Sequence, residues 1–177
     1  MYPKYSSKSI IIKRANSKDD DQLFLVYSDR FGLIFARAVS VRREGAKLKN
    51  NLSKAIVANL TLIRSKAGWK IVEADMPSIA ADNFDTISLR VIYKVLGFFV
   101  KIVPINSNDP SYFDILYKFL LYVDSGRDVK ELEFATLHDL LVRYGGINSN
   151  FVALSNLDNL DKEKLRKSIN KAMQFIK

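Results

Sequence analysis

The hydrophobic period of this chain changes near Met76-Pro77, and that change dictates two kinds of structure in succession. Before it, short β-rich runs alternate with turn signals. Ser9 to Arg14 is β-branched and compact, and the polar cluster Asn16–Asp21 reads as a turn, because short polar side chains compete for local backbone hydrogen bonds. Gln22 to Tyr27 is the second predicted strand, and Ser28 to Gly32 the hairpin connection. Leu33 to Arg42 sets Leu33, Phe35, Arg37, Val39 and Val41 against Ile34, Ala36, Ala38, Ser40 and Arg42. Lys54 to Arg64 and Trp69 to Ala74 complete the set. Five strands with no long helix between them predict a small closed barrel, since closure removes exposed edges.

After Pro77 apolar residues recur every three or four positions. Asn83 to Val103 is the most apolar segment and reads as a core helix stopped by Pro104. Its stretch from Val91 to Val103 contains Lys94 and Lys101, so it is too short and too charged to span a bilayer, and no membrane association is expected. Asp109-Pro110 predicts an N-cap and first helical position, and Asp128 with Glu131 a capping box opening a helix that ends at Gly145-Gly146. A last helix, from about Asp158 or Asp161 to Phe175, puts Leu165, Ile169, Met173 and Ile176 on one stripe and several lysines on the other face. The expected class is α+β, with residues 1–76 a five-stranded barrel domain and residues 77–177 an α-helical domain.

Charge is spread unevenly. Residues 1–75 hold 15 Lys and Arg against 7 Asp and Glu, a net +8 of the chain's +9, and residues 76–177 hold 13 against 12. A positive field concentrated in the barrel half favours a polyanionic partner, nucleic acid above all. A solubilising surface or an anionic membrane would draw on the same charge. The chain has no cysteine, which excludes disulfides and thiolate-ligated zinc and fits a reducing cytoplasm. Met1 to Ser9 is polar and aromatic, unlike a signal peptide.

Little here can perform catalysis, which needs convergent acids, bases, nucleophiles or metal ligands. His138 is the only histidine, inside an amphipathic helix, and reads as a surface or boundary residue. Asp19-Asp20-Asp21 reads as a solvated loop, because a linear triplet cannot direct enough oxygens onto a hard cation. Neither an enzyme nor a cofactor or metal site is expected. Nucleic-acid binding needs only cations along a groove and flat side chains for stacking. Arg42, Arg43, Lys47 and Lys49 place four cations in eight residues, in what reads as a Gly- and Asn-rich loop after the third strand. Arg37, Lys13, Arg14 and Lys54 are expected nearby on strands or strand ends. Trp69, Phe31 and Tyr27 could be core or rim packing or could stack on bases; Trp69 is kept as a candidate site residue.

Residues 8–75 resemble the N-terminal domain of the RecO family of recombination mediators. The resemblance lies in the strand and turn Leu23-Phe24-Leu25-Val26-Tyr27-Ser28-Asp29-Arg30-Phe31-Gly32, and in the run Arg42-Arg43-Glu44-Gly45-Ala46-Lys47-Leu48-Lys49-Asn50-Asn51-Leu52. Ala46 stands where that family usually has serine, and Val39-Ser40 replaces an Arg-Gly pair. The helical half is similar only in pattern, through the helix ending Leu140-Leu141 and Tyr144-Gly145-Gly146, and the chain is shorter than typical members. The four-cysteine zinc module of some members is absent. The resemblance implies an OB-fold, binding of single- and double-stranded DNA, strand annealing and assistance to RecA loading. It also implies two partners, RecR and the acidic C-terminal tail of single-strand-binding protein. From the residues alone, an RNA-binding or translation-associated module and an adaptor for acidic protein tails remain open.

Overall fold

The computed structural model describes residues 2–17, 20–43, 47–53 and 55–145, with 163, 166, 167 and 169–171 of a C-terminal helix. Five strands form the first half: β1 (Lys4–Asn16), β2 (Gln22–Ser28), β3 (Gly32–Ala38), β4 (Ala55–Ser65) and β5 (Gly68–Ala74). They are ordered β1-β2-β3-β5-β4, and β4 pairs back onto β1, so the sheet closes into a barrel. The β3–β5 pair is parallel and the others are antiparallel. A two-residue strand, β6 (Ile79–Ala80), extends the sheet beside β4. Helices α2 (Thr86–Ile102), α3 (Pro110–Asp124) and α4 (Val129–Tyr144) follow, after a short α1 (Lys47–Ser53) between β3 and β4. Among the described residues no helix is long and apolar enough to cross a membrane.

The core helix starts at Thr86, capped by Asp85, rather than at Asn83, and three further departures from the sequence expectation each have a physical reason. The first strand starts at Lys4 rather than Ser9, because Ser7 and Ser9 turn into the barrel. The Ser7 hydroxyl lies 2.5 Å from that of Ser28 and donates to Asp29 at 2.8 Å, so these buried hydroxyls are satisfied internally. A hydropathy pattern cannot see such an interior. The third strand stops at Ala38 rather than Arg42, and Ser40 takes a left-handed φ of 52° as the chain turns away. The basic segment after it is no loop throughout: Lys47–Ser53 is helical, with Leu52 buried and Leu48 packed against the barrel core. Arg14 donates to the carbonyls of Leu52 and Ser53, two acceptors that the end of α1 leaves open.

Two cores share the barrel wall. Inside are Phe24, Val26, Ile34, Leu60, Leu62 and Ile71, among others. Outside, Ile10, Ile12, Leu25, Tyr27 and Leu33 pack with α2, α3 and α4 into one continuous cluster. Residues 24–28 of β2 are therefore all buried, a strand covered on both faces. Tyr27 anchors the seam. Its ring meets Phe99 edge-on at 4.8 Å, and its hydroxyl donates to the Asp109 carbonyl at 2.7 Å and accepts from the Asp109 amide at 3.3 Å. Burial pushes its pKa up to about 12. The α2–α3 connector is tied to β3 by Leu33 N–H to Ser107 (3.1 Å) and Asn106 N–H to Leu33 (2.7 Å). Gly32 makes this approach possible, since its φ is 67° and a Cβ there would lie 1.9 Å from the Ser107 carbonyl oxygen.

The helix signals fall where the sequence puts them. Asp109 caps α3 through the Ser111 amide, Asp128 caps α4 through the amides of Lys130 and Glu131, and Gly145 ends α4 in the left-handed conformation. His138, expected at the surface or its boundary, is 8% exposed, with Nδ1 3.2 Å from Asp139 and Nε2 without a partner among the described residues. Of the predicted stripe on the last helix, Ile169 is buried; Leu165, Met173 and Ile176 lie outside the described residues.

Candidate nucleic-acid interface

The helices cover the outside of β2 from Leu25 onward, so the outer positions left open are Lys13 and Ala15 on β1, Leu23 at the start of β2, and β3 with the adjoining part of β5. On β3 the two exposed positions are Phe35, 48% exposed, and Arg37. Strand register carries these positions sideways into rows. Lys13 pairs with Leu25 and Leu25 with Phe35; Ala15 pairs with Leu23, Leu23 with Arg37, and Arg37 with Lys70. Neighbouring strands lie about 4.8 Å apart, so the exposed Phe35 ring sits close to Arg37 and Lys70, while Lys13 lies two strands away across the buried Leu25. A flat apolar side chain flanked by cations can stack on a base while phosphates are neutralised beside it.

Sequence reasoning places Arg37 here but misses Phe35 and Lys70. A signal for Phe35 exists: it shares a face with Arg37 by strand alternation, and a charged neighbour at that spacing marks the face as open. Nothing local marks Lys70, which is brought to Arg37 only by the parallel β3–β5 pairing.

Asp21, expected in a solvated loop, is instead buried, while Asp19 lies outside the described residues. One Asp21 carboxylate oxygen accepts the Ser40 amide at 2.6 Å, and the other accepts Nε of Arg37 at 2.7 Å, with Nη2 at 2.5 Å. The Ser40 amide and the Arg37 guanidinium hold its pKa below the ordinary carboxylate value. Asp20 pairs likewise with Arg43 at 3.1 Å, and its carbonyl accepts the Arg42 amide. Two of the predicted cations thus carry internal counter-ions. Arg42 and Lys49 are exposed, Lys13 is exposed on β1, and Arg14 is engaged at the end of α1. Lys54 and the side chain of Lys47 lie outside the described residues. Trp69 is half-buried and packs at the barrel's edge, against Phe31 at 4.5 Å and Tyr5 at 6.2 Å.

The helical half contains a separate groove of about 370 Å³ between α2, α4 and the C-terminal helix. Phe134, Leu137 and Ile169 are its apolar lining, and Lys94, Lys130 and Arg166 its cations; Lys94 pairs with Glu133 at 2.5 Å. No protein-family model matches the chain, and no curated protein is similar to it in sequence.

Proposed function

We propose that this protein is a non-catalytic DNA-binding mediator of the RecO type, built on an OB-fold barrel with a helical domain docked on it. It binds single- and double-stranded DNA without sequence preference, promotes annealing of complementary strands and assists RecA loading in recombinational repair in the cytoplasm. The observation that carries this reading is the exposed Phe35 beside Arg37 and Lys70 on β3 and β5. The strand 2–3 face is the one on which OB-folds bind oligonucleotides, and the strand order of this barrel is compatible with that fold. The resemblance of residues 8–75 to RecO supports the biological role. Annealing requires no covalent chemistry: one basic surface that holds two polyanions lowers their mutual repulsion.

The same reading assigns two protein partners, RecR and the acidic tail of single-strand-binding protein. A short tail ending in an apolar residue and a free carboxylate suits the Phe134–Leu137–Ile169 groove with Lys94, Lys130 and Arg166 at its lip. Such a small interface supports affinity of about −8 kcal/mol, in the micromolar range. The decisive experiment is annealing of complementary oligonucleotides precoated with single-strand-binding protein. Acceleration by the full-length chain, outcompeted by DNA more strongly than by RNA, is the expected result. No acceleration and no salt-sensitive DNA binding would overturn the proposal, and a preference for RNA would move the function to an RNA-binding module.

A further inference from the structure

At the barrel edge nearest the β4–β5 hairpin, three rings from separate elements converge: Tyr5 of β1, Phe31 of the β2–β3 turn and Trp69 of β5. Tyr5 lies 5.4 Å from Phe31 and 6.2 Å from Trp69, edge-on in both cases, and Phe31 lies 4.5 Å from Trp69. All three are half-buried, so their shared packing plugs the barrel. Over this plug lie two guanidinium groups, Arg64 with its central carbon 5.5 Å from the Trp69 ring centroid and Arg30 5.6 Å from that of Phe31. Arg30 is held in place by donation from Nη1 to the Ser6 carbonyl at 3.0 Å. We propose that this barrel mouth is a base-binding subsite in which Arg30 and Arg64, backed by Phe31 and Trp69, stack the unpaired bases of a single strand.

The charge pattern favours this use over surface packing alone. Arg37 and Arg43 carry carboxylate partners, whereas no described carboxylate pairs with Arg30, Arg64, Lys66 or Lys70. Asp29, next to Arg30 in the chain, accepts from the Ser7 hydroxyl at 2.8 Å, and Glu73 pairs with Lys4 at 2.7 Å. A guanidinium with a ring on one side and solvent on the other offers a flat cationic surface on which bases stack, and phosphates pair with its edge. Lys70 follows Trp69 in the chain and is opposite Arg37, so the mouth is continuous with the Phe35 face. Paired bases stay stacked within a duplex, hence the ligand is single-stranded. This inference rests on the DNA-binding reading above.

Trp69 is the only tryptophan, which gives the test a local reporter. Labelled oligothymidylate is titrated into the full-length chain, reading anisotropy of the label and Trp69 emission together. Emission is expected to fall in step with the anisotropy rise. An Arg30→Ala/Arg64→Ala variant is expected to bind the oligonucleotide about tenfold or more weakly, and the Arg30→Lys/Arg64→Lys variant, which keeps charge and loses the plane, to recover only part of this. Full recovery by the lysines would overturn stacking as the mechanism. Anisotropy that rises while Trp69 emission and the alanine variant's affinity stay unchanged would overturn the subsite and leave DNA binding standing. No anisotropy change at all would instead refute the DNA-binding reading itself.

Discussion

Replacing Phe35 by alanine removes the ring around which the candidate face is organised. Phe35 is 48% exposed in the folded protein, so only about half of its side-chain area is withdrawn from water on folding. Full burial of a phenylalanine contributes about 1.5–3 kcal/mol, so the variant should lose on the order of 1 kcal/mol of stability and stay folded. If one base stacks on the ring, binding should weaken by about 1–3 kcal/mol, roughly 5- to 150-fold. No phosphate-binding cation is removed, so the slope of log affinity against log salt should stay as in the parent. Lys70→Ala makes the complementary change: a small loss of affinity and a slope reduced by about 0.7 for single strands. Anisotropy titrations with oligothymidylate at several salt concentrations measure both quantities. Parental affinity in the Phe35 variant, or an unaltered slope for the Lys70 variant, would refute the assignment of this face.

Alanine at Arg42, Arg43, Lys47 and Lys49 together should weaken single-stranded DNA binding and flatten its salt dependence. The slope should fall by about 0.7 for each phosphate no longer neutralised, while melting barely moves. Unchanged affinity with earlier melting would make these residues structural. Gly32→Ala should cost about 2–5 kcal/mol in denaturant unfolding. Left-handed backbone accounts for about 1–2 kcal/mol of this and two disrupted hydrogen bonds to the α2–α3 connector for about 0.5–1.5 kcal/mol each; a loss below about 1 kcal/mol would show that the connector is not wedged on β3. Acid should destabilise the protein. Arg143 holds Asp109 below its ordinary value of 3.8, and the Ser40 amide with Arg37 does the same for Asp21. The unfolded chain therefore takes up these protons first, and their stabilisation is complete above the ordinary value and lost as pH falls through the lowered ones. Thermal melts should be flat from about pH 7 to 5 and decline below about pH 4, and a flat profile down to about pH 3 would contradict the two pairings.

What can be read along the chain is whatever depends on near neighbours. Period-2 runs before Met76 and three- to four-residue spacing after Pro77 anticipate a barrel followed by helices, because each element must bury one face. Asp109-Pro110, Asp128 and Gly145 mark helix ends through bonds that reach only a few residues. Longer-range pairing settles the rest. Ser7 and Ser9 are polar yet interior because Ser28 and Asp29 meet them across the barrel. The seven-residue α1 escapes a reading of the sequence because its two leucines are held by the barrel core rather than by any sustained pattern. Likewise, the sequence shows many cations in the first half, but not which of them have counter-ions. Asp21 reaches Arg37 across sixteen residues, and Lys70 reaches the same arginine only because β3 and β5 run parallel. A side chain's charge is a property of its residue type, whereas its counter-ion, its exposure and the ring beside it depend on which strands the fold makes adjacent.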